Sequence, residues 1–161
     1  MTTPTRTLLV VGSGPVADAT ARLADVLGWA VEPSDTAPLE RLAALGPGDA
    51  VVVLSHDADV DGPALAAAVA SDVGYVGAMG SRRTQDRRRA WLDGHGVDES
   101  ARSRIHGPAG LDIGADTPAE IALAVVAQVV ALDRGATGVR GVDERRGPLH
   151  PDQPGGSCPG G

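Results

Sequence analysis

Four short segments carry residues whose types and spacing could do chemistry. The first, Gly12-Ser13-Gly14-Pro15-Val16-Ala17, has G-x-G-x-x-A spacing. Glycines so placed let the backbone turn tightly and approach a pyrophosphate, which then rests on the N-terminus of the following helix. Asp35 lies 23 residues after Gly12, near where a ribose-binding acid is expected at the end of a second strand. Two readings stand at this turn: a cradle for a nucleotide or pterin phosphate, or a plain joint between strand and helix. Pro15 lacks an N–H that could face a ligand. In Ser55-His56-Asp57 a hydroxyl, an imidazole and a carboxylate follow one another. Consecutive residues do not converge as a catalytic triad does, so the functional reading is a polar rim with Ser55 or His56 as donor and Asp57 capping or ordering the loop. A simple hydrogen-bonded turn is the alternative.

Gly77-Ala78-Met79-Gly80-Ser81-Arg82-Arg83 ends a strand in glycine and starts a helix at Ser81, with two arginines in its first turn. Cations at a helix N-terminus oppose the macrodipole. A bound anion, facing free N–H groups and guanidinium forks, would make them worthwhile. Arg87-Arg88-Arg89, farther along, reads as a solvated basic face. The fourth segment, Gly107 to Ala115, surrounds Asp112 with glycine, as expected of a loop folded closely over something. No acid–base pair, activated nucleophile or metal-ligand cluster assembles from these residues, so neither a catalytic nor a metal site is expected.

The elements that must position these loops alternate between strand and helix as far as residue 134. Thr7 to Val11 and Ala50 to Leu54 are continuously apolar and β-branched-rich, as expected of strands buried on both faces. Ala30 to Glu32 is a weaker strand, which Pro33 confines to an edge or cuts short. Val73 to Gly77 is the next strand, and a last one lies around Ser103 to His106. Helices are expected after Gly14, stopped by Gly28, over 38–45, over 62–71, from Ser81 to Gly94, and from Thr117. Thr117-Pro118-Ala119-Glu120 is a capping box with proline at the first helical position. That final helix is apolar on nearly every side and must be buried against the sheet. Strand–helix alternation at βα spacing means a parallel sheet with helices on both faces. In such sheets ligands bind beyond the carboxyl ends of the strands, where strand order reverses.

Composition narrows the function. The 161 residues suit one domain, since a chain of ~150 residues buries roughly 70% of its unfolded surface. Two parts are expected: a folded domain over 1–134 and a disordered tail over 135–161, where 12 of 27 residues are Gly or Pro. A net charge of −7 argues against coating nucleic acid or an anionic membrane. All 14 basic residues are arginine. The absence of lysine excludes a Walker-type phosphate lysine, a Schiff base and a lysine general base. The one cysteine, Cys158, cannot form an internal disulfide or a thiolate cluster. With no signal-like or membrane-length apolar run, the expectation is a cytoplasmic protein.

At its loops the sequence resembles the xanthine dehydrogenase accessory family (XdhC/CoxI type). Tyr75 to Arg83 and Gly110 to Ala122 look like that family's hallmark segments. Gly12-x-Gly14-x-x-Ala17, Leu27-Gly28-Trp29 and Ser55-His56-Asp57 fall where it carries similar motifs, and the likeness covers roughly residues 7–134. The resemblance implies a Rossmann-like, C-terminal-type domain of proteins that bind molybdenum cofactor. Such proteins help load its sulfurated form into a molybdenum hydroxylase such as xanthine or carbon monoxide dehydrogenase, often beside a cysteine desulfurase. Three departures matter. Pro15 stands where the family has His; the N-terminal domain with its cysteine motif is missing, so that thiol must come from a separate chain; and the segment between Asp35 and Ala50 lacks one family strand. That loss predicts five strands in the order 2-1-3-4-5, with the switch point between Gly12-Gly14 and Ser55-Asp57.

The leading expectation is therefore a cofactor chaperone rather than a catalyst. Its cofactor-binding residues would be Gly12, Gly14, Asp35, Ser55, His56, Asp57, Gly80, Ser81, Arg82, Arg83 and Asp112. Its partners would be a molybdenum hydroxylase, a cysteine desulfurase and the chain carrying the missing domain, with homodimerisation allowed and no nucleic acid or membrane. An NAD(P)-dependent oxidoreductase or dinucleotide-binding protein is the alternative, motivated by the glycine turn and Asp35. A scaffold that docks a hydroxylase through the arginine-rich helix, holding no cofactor, is a third.

Overall fold

The computed structural model describes residues 6–147. Five parallel strands form one sheet: β1 (Thr7–Val11), β2 (Ala30–Ser34), β3 (Ala50–Val53), β4 (Tyr75–Ala78) and β5 (Ile105–His106), in the order β2-β1-β3-β4-β5. The order is the one expected from the shortened segment before Ala50. Register is fixed by apolar pairs such as Val10↔Val52 and Val51↔Val76.

Each strand alternates its side chains between two cores. Leu8, Val10, Val52 and Tyr75 point to one face, where α1 (Pro15–Val26) and α6 (Pro118–Asp133) cover them with Val16, Ile121, Val125 and Val129. Leu9, Val11, Val51, Val53 and Val76 point to the other, under α2 (Leu39–Ala43), α3 (Ala58–Ala70) and α4 (Arg82–Gly94). A short helix, α5 (Glu99–Arg102), precedes β5. No helix among the described residues is long and apolar enough to cross a membrane.

Four details differ from the sequence reading. The third helix begins at Ala58, four residues before the expected start, because Asp57 caps it by accepting the Asp59 N–H at 2.9 Å. Gly62, expected to open that helix, instead lies inside it, where a Cβ would stand 2.6 Å from the Trp91 ring. The last helix is buried on one face only, and Leu123 remains half exposed. The tail also differs in its first part. Residues 148–161, Cys158 among them, lie outside the described residues. Residues 140–145, by contrast, fold back on the fourth loop, where Gly141 bridges Leu111. Backbone bonds to a glycine-rich loop hold them, so apolar periodicity carried no trace of this.

The capping box of α6 is formed as expected. Thr117 Oγ1 accepts the Glu120 N–H, and the Glu120 carboxylate accepts the N–H groups of Asp116 and Thr117. Those backbone donors hold the Glu120 carboxyl below the ordinary glutamate range. Thr117→Ala is expected to cost about 1 kcal/mol, read from the urea midpoint at neutral pH. Because the Glu120 pKa is lowered on folding, its contribution is present above the unfolded pKa and is lost as pH falls through the folded one. Glu120→Gln should flatten that acid-side slope.

Candidate functional site

Three loops at the carboxyl ends of β1, β3 and β4, the interior strands, meet at one end of the sheet. In the first, Gly12 (φ 115°) and Gly14 (φ 116°, ψ −176°) adopt conformations that L side chains avoid. A Cβ on Gly12 would lie 2.5 Å from the Ser55 backbone nitrogen, so this glycine lets the first two loops touch. Leu54 and Ser55 both donate their N–H to the Val11 carbonyl, at 2.7 and 3.0 Å. At Gly14, by contrast, no heavy atom lies within 4 Å of where a Cβ would stand. Pro15 occupies the first position of α1, where a missing N–H leaves no intrahelical bond unmade. The Gly12 N–H donates to Ser34 O at 2.8 Å, so Asp35, exposed just past β2, begins the neighbouring loop.

The second loop holds Ser55, His56 and Asp57, and they form no triad. Ser55 Oγ accepts the Asp57 N–H at 3.0 Å, Asp57 caps α3, and His56 is exposed. In the third loop Gly80 (φ 139°) turns the chain and Ser81 caps α4 by accepting the Thr84 N–H. Gln85 braces it from within, its Nε2 donating to the carbonyls of Ala78 and Gly80. Arg82 and Arg83 project from the first turn of α4 and are exposed. Arg82 Nη2 donates to the carbonyl of Arg145 at 2.6 Å.

Arg88 overturns the expectation of a solvated basic face. Arg87 and Arg89 are exposed, but Arg88 is 4% exposed and paired with Asp61, itself 1% exposed, at 2.7 Å. Its Nη1 donates to the Met79 carbonyl and its Nη2 to the Ser55 carbonyl. One guanidinium therefore ties the second loop to the third. The signal was present: Ser81, Gln85, Arg88 and Leu92 form one stripe at helical spacing, and a stripe that ends on an apolar residue faces inward.

Asp112, in the fourth loop, is mostly buried and lies among arginines of the returning segment, 3.4 Å from Arg145 Nη1 and 3.7 Å from Arg140 Nη2. The loop is pinned from beneath by Gln128, whose Oε1 accepts both the Tyr75 hydroxyl at 2.7 Å and the Gly110 N–H at 2.8 Å. Burial pushes the Tyr75 phenol far above its ordinary range, so this hydroxyl serves as a fixed donor and not as a base. Gln128, Arg88 and Arg145 were not among the residues singled out from sequence.

The arrangement thus offers an open glycine turn, two helix N-termini and exposed arginines, with the loops between them cross-braced. Backbone N–H groups and guanidinium donors of this kind suit an anionic ligand.

Comparison with known proteins gives three findings. The family model described as the XdhC Rossmann domain matches residues 8–129. The molybdenum cofactor insertion chaperone PaoD of Escherichia coli K12 is 32% identical over 125 residues, covering 78% of this chain and 39% of PaoD. The uncharacterized protein YqeB of the same organism is 29% identical over 154 residues, covering 81% of this chain and 28% of YqeB. The chain therefore spans well under half the length of either relative. Among solved structures, one described as a xanthine dehydrogenase from Bacillus halodurans superposes with a TM-score of 0.67 at 24% identity. It covers 84% of this chain and 45% of that one, and this likeness bears on the fold.

Proposed function

This chain belongs to the XdhC Rossmann-domain family, and from that membership we propose an accessory factor that holds molybdenum cofactor and assists its insertion into a molybdenum hydroxylase of the xanthine or carbon monoxide dehydrogenase type. The similarity to PaoD, a molybdenum cofactor insertion chaperone, supports the reading. The structural observation that carries it is the bracing of the three strand-end loops at the carboxyl end of the sheet, where Gly14 has open space beside it and Arg82 and Arg83 are exposed.

The residues fit a phosphate-bearing cargo. The N-terminus of α1 presents backbone N–H groups, Gly14 leaves room for close approach, and Arg82 supplies a charged fork. Gly12, Gly80 and Ser81 shape the loops, while Ser55, His56, Asp57, Asp35 and Asp112 offer polar contacts along the rim. The cargo would bring its own redox-active metal; the chain's part is to bind, shield and release it. A cysteine desulfurase completes the proposed partnership. Anaerobic titration of the purified protein with molybdenum cofactor tests the reading, and an absence of binding overturns it. The bond between Gly12 N–H and Ser34 O, which sets Asp35 beside the glycine turn, favours dinucleotide binding as a second reading. Micromolar affinity for NAD⁺ or NADPH by calorimetry would shift the balance to it.

Arg82→Ala separates an anion site from a surface arginine. Charged hydrogen bonds are worth about 1.5–3 kcal/mol, so cofactor affinity should fall by roughly tenfold to a hundredfold. Stability should change little, since the side chain is exposed and its charge opposes the dipole of α4. Arg87→Ala, exposed on the same helix, is the control and should bind as the native protein does.

A further inference from the structure

The segment that follows α6 returns to the candidate site and occupies the groups that a ligand would use. The Asp112 N–H donates to Arg140 O at 2.8 Å, and the Val142 N–H donates to Gly110 O at 2.9 Å. His106 Nδ1 stands 3.4 Å from the Asp143 carboxylate. The Asp112 carboxylate faces Arg140 and Arg145, and the carbonyl of Arg145 takes the hydrogen bond of Arg82. Val142 and Arg145 also line a small pocket together with Met79, Ala115 and Ile121. All of these strap residues lie beyond the stretch matched by the family model, which ends at residue 129.

We propose that residues 139–145 are a closing strap that holds Arg82 and Asp112 until an anionic ligand displaces it. The inference rests on the reading that Arg82 meets the anion of the ligand. Displacement is favoured by the chemistry of the exchange. Arg82 gives up a single bond to a neutral carbonyl and gains an oppositely charged phosphate, which a guanidinium can engage through two parallel bonds. One of its two ion pairs is weak: Arg140 stands 3.7 Å from Asp112 with its side chain 65% exposed, conditions under which a pair contributes little. Among its other contacts are backbone hydrogen bonds of 2.8–2.9 Å and the Arg82 bond, groups that a ligand can satisfy in the strap's place. The tightest point is Gly141, which is buried, and a Cβ there would collide with the side chains of Asp143 and Gln128.

Gly141→Val should therefore lift the strap while leaving Arg82 in place. The probe is inorganic pyrophosphate, titrated by calorimetry into the unsubstituted 161-residue protein, Gly141→Val, Arg82→Ala and the double variant. Trypsin cleavage after Arg140 and Arg145 reports strap opening in parallel. If the closed strap masks nine-tenths of the molecules, Gly141→Val binds about tenfold more tightly. That gain should vanish in the double variant. Cleavage of the native protein should accelerate with pyrophosphate, and Gly141→Val should be cut rapidly without it. Equal affinity of the native protein and Gly141→Val, with the strap demonstrably open, overturns the strap and leaves the anion site standing. Failure of both to bind pyrophosphate overturns the anion site and the strap with it. Should Gly141→Val not fold, Val142→Pro, which deletes the N–H donated to Gly110, replaces it under the same criteria.

Discussion

Arg88→Ala lowers the free energy of unfolding by about 3–5 kcal/mol, the cost of leaving one member of a buried ion pair without the other. The stranded group is Asp61, whose carboxylate is 1% exposed and whose Oδ1 already has no hydrogen-bond partner among the described residues. The carbonyls of Ser55 and Met79 lose their donor at the same time. Urea denaturation measures the loss, and a change below about 1 kcal/mol, the worth of an exposed pair, would show that the guanidinium is solvated after all. The paired variant Asp61→Leu with Arg88→Met divides stability from positioning. Replacing both charges by apolar groups of similar volume is often neutral or stabilising. It should restore much of the stability while leaving the second and third loops untied, so cofactor affinity stays low when stability recovers.

Gly12→Ala should be nearly as costly, for a different reason. At φ 115° an L residue carries about 1–3 kcal/mol of backbone strain. Its methyl would also sit 2.5 Å from the Ser55 nitrogen and 2.7 Å from the Leu54 carbonyl carbon, both main-chain atoms just past the end of β3. Neither can move aside without breaking the bonds that Leu54 and Ser55 make to the Val11 carbonyl. A total loss of upward of about 3 kcal/mol follows, in the range reserved for named core defects. Gly14→Ala is the informative contrast. It shares the strain, with φ 116°, but its methyl enters open space. If that space receives the ligand, Gly14→Ala weakens binding more than its stability loss explains. If the two glycine variants lose only stability, in proportion to their strain, the turn is a joint and nothing more.

The parts legible in the sequence are those that one residue's neighbours determine. Continuous apolar runs at Thr7–Val11 and Ala50–Val53 announced strands buried on both faces, and Thr117 with Glu120 announced the start of α6. Gly28, at φ 76°, ends α1 as expected. The parts that escaped depend on partners far away in the chain. Asp61 and Arg88 are 27 residues apart, so although the stripe through Ser81, Gln85 and Leu92 marks Arg88 as inward, nothing local names its partner. Gln128 pins a loop 18 residues distant. Gly62 was expected to open the third helix, and nothing local shows that it lies inside α3 to make room for Trp91. Of the candidate site, the strand-end loops were found by topology; the bracing between them could not be.

The two margins of the sheet carry a consequence for assembly. On one side lies β2, whose Ala30 N–H and Ser34 carbonyl turn inward to β1. Alternation along the strand then directs Val31 and Pro33 outward, so the N–H that proline lacks is missing from the outer rim. On the other side β5 is only two residues long. A shortened strand and an outward proline are both devices that discourage a further strand from adding at an edge. Growth of this sheet by a visiting chain is thus disfavoured at both ends. Whatever a larger assembly adds to this domain must attach through helix faces and loop tips, where side chains and not shared backbone ladders decide who is admitted.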